Sequence, residues 1–208
     1  IKLKYLSTII CLMVYKPSFF ILSDHGVAGA SLAVGMASKI SDDIVWICGE
    51  NPLLANRISK AYDLNIEIFG NRSFNLANLN EINILITKCI EKKDRYTVIL
   101  SILPELILVH NLDRVYLFLL NLFKKIESDG FLVGLMIKHA QNIRDEIIIS
   151  RLFSDVFYLK SELNSEPEFR LISEAPINDR YVFKLKLNGY VIDMEEDIVK
   201  YLKEVSQA

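Results

Sequence analysis

The arrangement of this chain is set by residues 18–40, which read SFFILSDHGVAGASLAVGMASKI. Within this stretch, Phe19–Leu22 are apolar and β-prone and predict a buried strand. The glycine-containing segment Ser23–Gly29 interrupts the run, and Ala30–Ile40 then have the small and apolar composition of a buried helix. A strand that enters a helix through a glycine loop is typical of α/β proteins that bind phosphate groups.

The residues of this loop differ from those that hold a nucleoside triphosphate. A phosphate-binding loop reads G-x-x-x-x-G-K-[ST], in which the lysine contacts the terminal phosphates and the hydroxyl binds magnesium. With Gly26 as the first glycine, Ser31 replaces the second glycine, Leu32 the lysine and Ala33 the hydroxyl residue. Either Gly26 and Gly29 only turn the chain, or backbone N–H groups there bind nucleotide weakly. We therefore expect no tightly bound cofactor.

Carboxylates follow two other predicted strands. In nucleotide-hydrolysing sites an acidic residue at a strand end binds magnesium, and in this chain that position falls on Leu100. Glu50 comes shortly after the predicted strand at residues 43–48, at the edge of the sheet where α/β proteins bind ligands. Glu105, which follows Pro104, either faces the same edge or is a surface charge.

Predicted strands and helices alternate along the chain to about Leu159. Continuous apolar runs typical of strands covered on both faces occur at residues 43–48, 96–102 and 131–137. Beyond residue 159, alternating residues around Asn188-Gly189 predict an antiparallel hairpin, and a last helix spans Glu195–Val205. We predict one domain, residues 1–208, with a three-layer α/β/α fold, a mostly parallel sheet, an antiparallel C-terminal hairpin and a final helix.

Two asparagines predict helix starts. Asn51 is a suitable N-cap, and Pro52 suits the first helical position of a helix whose buried face includes Leu53 and Ile58. Asn111 is expected to cap a long apolar helix over residues 112–128.

The order of these elements resembles the RecA-like ATPase core, and in particular its KaiC-like archaeal and bacterial relatives. The resemblance is carried by residues 19–40, by Cys48-Gly49-Glu50-Asn51-Pro52, by Thr97–Ser101, and by residues 149–159 and 183–189. It implies a RecA-like fold and places Glu50 at the position of the family's catalytic glutamate. The resemblance also implies a degenerate nucleotide site, whose positions are occupied by Gly26, Gly29, Ser31 and Glu50.

The family assembles by packing the nucleotide edge of one subunit on the next, and its inactive relatives serve as partners in such assemblies. The resemblance therefore implies a non-catalytic RecA/KaiC-like ATPase homologue that acts as a regulatory or structural interaction subunit. Its partner is then another protein or a second copy, such as another RecA-like subunit. Nucleic-acid binding within a repair complex is a further hypothesis that rests on family analogy alone.

A Rossmann-like S-adenosylmethionine-dependent methyltransferase is the alternative. Asp24-His25-Gly26 resembles the glycine loop of that class, and residues 128–133 resemble one of its turns. In this interpretation Glu50 binds the ribose hydroxyls from the end of the second strand.

Composition limits the cellular setting and the partners. The formal net charge is −2, with both signs interspersed and no basic tract, so charge does not support nucleic-acid binding. The chain has three cysteines, Cys11, Cys48 and Cys89. Their number is odd and their spacing is not that of metal ligands, which indicates a reducing, cytoplasmic setting. No run reaches the ~18–20 apolar residues of a membrane span. The lysines before the apolar run at residues 9–14 precede no cleavage site, so we expect no signal peptide.

Overall fold

A computed structural model of the chain describes residues 17–126, 130–162 and 168–206. Its strands are β1 Ser18–Ser23, β2 Asp43–Ile47, β3 Glu67–Phe69, β4 Tyr96–Leu100, β5 Gly130–Ile137, β6 Asp155–Ser161, β7 Glu168–Ile177, β8 Arg180–Asn188 and β9 Val191–Asp193. Its helices are α1 Gly26–Ile40, α2 Pro52–Ala61, α3 Leu79–Ile90, α4 Leu103–Lys125, α5 Ile143–Ser150 and α6 Glu196–Val205. Cys11 and the turn predicted at residues 128–129 lie outside the described residues.

The strands form one nine-stranded sheet in the order β3-β2-β4-β5-β1-β6-β7-β8-β9. The six strands from β3 to β6 are parallel, and β6 to β9 pair antiparallel. Helices cover both faces, so the fold is the predicted three-layer α/β/α arrangement. The antiparallel C-terminal strands and the final helix are confirmed as well.

Each face of the sheet has its own apolar core. On one face α1, α2 and α6 pack on side chains such as Phe19, Trp46 and Phe157. On the other, α3, α4 and α5 pack on side chains such as Phe20 and Val98. Alternate residues of β1 point to opposite cores because successive side chains of a strand project to opposite faces.

The predicted interruption between the first strand and the first helix, Ser23–Gly29, is longer than the observed one. Helix α1 begins at Gly26, so only Asp24 and His25 separate it from β1. His25 has extended backbone geometry and its ring nitrogen Nδ1 accepts a hydrogen bond from the backbone N–H of Ala28 at 3.2 Å. Because a histidine supplies this cap, the helix starts four residues before the predicted position.

The predicted caps are confirmed, with two differences in the helices that follow them. Asn51 Oδ1 accepts from Leu53 N at 2.9 Å, and Pro52 begins α2. Leu53, however, is exposed, and the buried face of α2 consists of Ala55, Ile58 and Ser59. Asn111 Oδ1 accepts from Arg114 N at 3.2 Å, but helical structure already begins at Leu103.

Helix α4 is interrupted where Asn111 caps its second half. Asn111 has φ 64° and ψ 165°, a region that is essentially restricted to glycine. By length and composition alone α4 is apolar enough to cross a membrane. In the fold, Leu106, Val115 and Leu119 are among its residues that pack in the core shared with α3 and α5.

The last hairpin turns one residue later than predicted. Asn188 pairs with Val191, so Gly189 and Tyr190 form the two-residue loop. Gly189 has φ 63° and thus supplies the positive φ that such tight turns require at their first central position.

Candidate functional site

At the carboxyl edge of the parallel sheet, we use the word crevice for each of two places where neighbouring strands lead to helices on opposite faces. The helices after β1 and β2 pack on one face, whereas those after β4 and β5 pack on the other. The chain therefore leaves the neighbouring strands β1 and β5 toward opposite faces of the sheet. The same is true of the neighbouring strands β2 and β4. Ligands of open α/β sheets bind at such points. The residues predicted for a nucleotide site divide between these two crevices.

At the first crevice, the link from β1 to α1 is closed by its own hydrogen bonds. Ser23 Oγ donates to His25 O at 2.8 Å and accepts from His25 N at 3.1 Å. The N–H of Ala28 is held by His25 Nδ1, and Gly29 N donates to His25 O at 2.8 Å. The backbone donors available to an anion are thus those of Gly26 and Val27, because the first N–H groups of a helix have no partner within it.

The structure places Gly26, Gly29 and Ser31 on successive positions of α1. Gly26 is half-buried at the first turn. Gly29 is buried, and a Cβ there would lie 2.8 Å from Ser23 Cβ and 3.0 Å from Leu135 Cδ1. Ser31 is fully buried, and its Oγ has no hydrogen-bond partner among the described residues. Close packing of the helix on the sheet therefore accounts for Gly29.

Lys138 is a cation at this crevice that the sequence analysis missed. It follows β5, its backbone N donates to Ser23 O at 2.8 Å, and its Nζ lies 4.0 Å from Asp24 Oδ1. Its position directly after a predicted buried strand was the available signal. The neighbouring carboxylate offsets its charge, so the crevice offers an anion little net attraction.

At the second crevice, Glu50 lies at the half-buried end of a hydrogen-bonded chain. Trp46 Nε1 donates to Ser101 Oγ at 2.8 Å, and Ser101 Oγ in turn donates to Glu50 Oε2. Burial raises the pKa of the Glu50 carboxyl, although the hydrogen bond from Ser101 opposes that change. Trp46 and Ser101 lie on neighbouring strand ends, and the sequence analysis assigned them no role.

Glu105 faces the same crevice from the first turn of α4. A Cβ on Gly49 would lie 2.9 Å from the backbone oxygen of Ser101 and 2.7 Å from Glu105 Oε2, and the backbone contact requires glycine here. Glu105 Oε2 is buried and has no hydrogen-bond partner among the described residues. Burial raises the pKa of the Glu105 carboxyl, and the pKa of the nearby Cys48 thiol is raised to about 12 by burial and by Glu50.

The carboxyl groups and the thiol at this crevice all have raised pKa values. Burial makes the charged form of each group less favourable than it is in water. No cluster of three or more His, Cys, Asp or Glu side chains suited to a metal ion occurs within the described ranges. Cys48 has a high pKa and donates to Glu50 O at 3.1 Å, so it is a poor nucleophile.

The sheet order does not bring the predicted site residues together. Strands β5 and β4 lie between β1, which leads to Gly26, and β2, which leads to Glu50. At a strand spacing of ~4.8 Å the two strand ends are about 14 Å apart. The Rossmann order places the first two strands side by side, so the sheet contradicts the methyltransferase alternative.

Comparison with known proteins supports the fold. No protein-family model matches the chain, and no curated protein matches it by sequence. Among solved structures it is similar to a KaiC-like protein from the hyperthermophilic archaeon Pyrococcus horikoshii, with a TM-score of 0.62 and 12% identity. The match covers 86% of this chain and 89% of that protein. At this identity the likeness establishes a RecA-like fold.

Proposed function

We propose that this protein is a non-catalytic RecA/KaiC-like homologue that acts as a regulatory or structural interaction subunit. The observation that carries the proposal is the position of Leu32 and Ala33. These residues replace the phosphate-binding lysine and the magnesium-binding hydroxyl, and both are fully buried in the core between α1 and the sheet. Their burial indicates that this part of the chain serves packing rather than nucleotide binding.

The second crevice supports the same proposal. Leu100, which replaces the magnesium-binding acid, is fully buried at the end of β4. Glu50 accepts a hydrogen bond from Ser101, and burial raises the pKa of its carboxyl. A carboxyl group held in this way does not need a bound ligand to satisfy it.

Exposed aliphatic side chains near the carboxyl edge support a role in protein contacts. Leu53 lies in the first turn of α2, directly after the Glu50 loop, and Leu108 lies in the first half of α4. Both are largely exposed. The resemblance implies assembly through this end of the sheet, and these two leucines are the side chains that we assign to a contact with a second subunit.

The test is nucleotide binding and turnover by the purified chain. We expect no magnesium-dependent ATP hydrolysis above a buffer blank and no calorimetric ATP binding tighter than millimolar. Gly26→Ala is expected to leave both measurements unchanged, because a Cβ there meets only Ile137 Cδ1 at 3.7 Å. Magnesium-dependent turnover that disappears in Glu50→Gln would overturn the non-catalytic assignment.

Self-association tests the subunit role. Sedimentation velocity over a range of concentrations is expected to show an oligomer that Leu108→Glu weakens. Leu117→Glu, in the second half of the same helix and also exposed, is the matched control. A monomer at every concentration would exclude a second copy as the partner.

A further inference from the structure

A groove of about 230 Å³ lies between α5 and the strands β1 and β6, on the face of the sheet opposite α1. Its floor is apolar and consists of the buried side chains of Phe20, Leu22 and Val156. Its wall is one face of α5, because the helical residues that border it are three and four positions apart. They are Ile143, Glu146, Ile147 and Ser150.

Glu146 places a buried carboxylate in the middle of this largely apolar wall. The residue is 5% exposed, and its Oε1 accepts a hydrogen bond from the backbone N of His139 at 2.6 Å. Its other oxygen, Oε2, has no hydrogen bond or ion pair within the described ranges. Unlike Glu105 Oε2, it is not fully enclosed by protein atoms. Because a buried charge is costly without a partner, this oxygen is a ready acceptor for a donor in the groove.

The turn after β5 fixes the orientation of this carboxylate. His139 borders the groove and has φ 63°, a region that residues other than glycine adopt infrequently. The hydrogen bond from its backbone N to Glu146 stabilises that conformation. The fold, rather than a ligand, therefore positions the free oxygen, and such preorganisation lowers the cost of ordering the site on binding.

The other charged groups at the groove favour a cation over an anion. Lys138 borders one end, but its Nζ lies 4.0 Å from Asp24 Oδ1, which offsets its charge. Tyr158 OH donates to Glu174 Oε1 at 2.6 Å, so a second carboxylate lies beside the groove. Burial and this hydrogen bond raise the pKa of Tyr158 to about 12, so the phenol stays neutral. The carboxylate of Glu146 is thus not offset by a paired cation.

The volume of the groove restricts the size of a ligand. Pockets for drug-sized ligands have volumes of ~300–1,000 Å³, whereas an apolar cavity of ~150 Å³ holds benzene. A groove of about 230 Å³ therefore accommodates one ring, or a short branched chain, together with a few further atoms.

We propose that this groove binds a small organic cation in which an apolar ring or short chain carries a primary ammonium group. The apolar part lies on the floor formed by β1 and β6, and the ammonium group donates a charge-assisted hydrogen bond to Glu146 Oε2. A neutral hydroxyl group makes the same contact without the charge and binds more weakly. The proposal goes beyond the role as an interaction subunit and does not depend on it.

Three probes of similar size test the proposal on the full chain at pH 8. Benzylamine carries the ammonium group, benzyl alcohol is its neutral counterpart, and benzoate is an anion. We expect benzylamine to bind with a dissociation constant of about 10 mM or tighter, as suits eight non-hydrogen atoms. Its titration should shift the amide NMR signals of His139 and of α5. Benzyl alcohol is expected to bind at least fivefold more weakly, and benzoate is not expected to bind.

Matched variants separate the proposed contact from general charge. Glu146→Gln keeps an acceptor for His139 N but removes the charge, so it should lose about tenfold in affinity for benzylamine and none for benzyl alcohol. Glu174→Gln removes the neighbouring charge and should change the affinity for benzylamine at most twofold. Ser150→Leu fills the groove and should abolish binding of both probes. Circular dichroism and the fluorescence of Trp46 verify that each variant is folded.

Several results would overturn the proposal. They are equal affinity for benzylamine and benzyl alcohol, an unchanged affinity in folded Glu146→Gln, shifted signals remote from α5, and no saturable binding up to about 50 mM. The first and the last of these are measured on the unmodified chain, so they hold even if a variant fails to fold. ATP turnover would overturn only the non-catalytic function, since the groove contains none of the predicted nucleotide-site residues.

Discussion

Glu50 and Glu105 are carboxyl groups that folding removes from water without a cation beside them. Burial raises the pKa of each from its ordinary value of 4.5. An acid whose pKa is higher in the folded state stabilises the fold fully below its unfolded pKa. That contribution is lost as the pH rises through the folded pKa. These two groups therefore make the folded chain more stable in acid than in alkali.

Glu105→Gln is expected to reduce this pH dependence. At pH 8 the variant should gain about 1 kcal/mol in free energy of unfolding, because an unpartnered charged oxygen is replaced in a partly exposed position. At pH 4 the difference should be close to zero. Urea unfolding at both pH values measures it, with exposed Glu91→Gln as the control. Equal effects of the two substitutions would contradict the account.

His25 stabilises the start of α1 in place of an external ligand. His25→Ala should lower the free energy of unfolding by about 1 kcal/mol, because the N–H of Ala28 loses its acceptor. His25→Asn keeps a capping side chain and should retain most of the stability. Thermal unfolding followed by circular dichroism compares the two variants. A loss in the asparagine variant as large as in the alanine variant would show that the cap is not the cause.

At the scale of the element, the break in α4 depends on one residue. Asn111 combines a cap for the second half of the helix with a backbone conformation that costs about 1–3 kcal/mol in residues other than glycine. Asn111→Gly should therefore raise the free energy of unfolding by about 1 kcal/mol, since glycine costs little as an N-cap. Asn111→Ala keeps the strain, loses the cap, and should lower that free energy by about 1 kcal/mol. Urea midpoints of both variants test the sign of each change.

The contact between β5 and the residues after α5 depends on the absence of a side chain. A Cβ on Gly134 would lie 2.6 Å from Phe153 Cζ and 3.0 Å from Phe20 Cδ2. Gly134→Ala should therefore cost about 2 kcal/mol or more through overpacking. Gly26→Ala, whose Cβ would be in ordinary van der Waals contact with Ile137 Cδ1 at 3.7 Å, should be neutral or stabilising by about 0.5 kcal/mol. Urea denaturation of the two alanine variants distinguishes a packing requirement from a general cost of replacing glycine.

For the whole molecule, the final helix completes the core that contains β1. Ile198 and Leu202 of α6 are fully buried in that core, and the ring of Tyr201 stacks on Phe19 at 6.2 Å between centroids. The described strands belong to one sheet. Loss of packing at the end of the chain is therefore expected to affect the sheet centre.

Leu202→Ala should lower the free energy of unfolding by about 3 kcal/mol, the usual cost of a cavity at a buried leucine. Fluorescence of the single tryptophan, Trp46, and far-UV circular dichroism should shift to the same new midpoint in urea. Lys203→Ala, an exposed neighbour on α6, is the control. An unchanged tryptophan midpoint beside a shifted circular dichroism curve would show that the C-terminal part unfolds separately.

The predictions from sequence succeeded where a pattern is local. Continuous apolar runs identified β2, β4 and β5, because a strand covered on both faces must be apolar on both. Asn51 and Asn111 were recognised as caps because a cap acts on the next few residues. His25 was not recognised, since histidine is an uncommon cap and nothing nearby marks it. The start of α1 was displaced for the same reason.

The amino-acid sequence alone was sufficient to predict the fold class, because apolar runs and turn residues mark the alternating strands and helices locally. Contacts between distant segments depended on the order of the strands. That order separates Gly26 from Glu50, joins Glu50 to Ser101 and Glu105, and aligns Lys160, Arg170 and Lys184 across three strands. The pairs that the strand order joins are 10 to 55 residues apart in the chain, so contacts between distant segments bring them together.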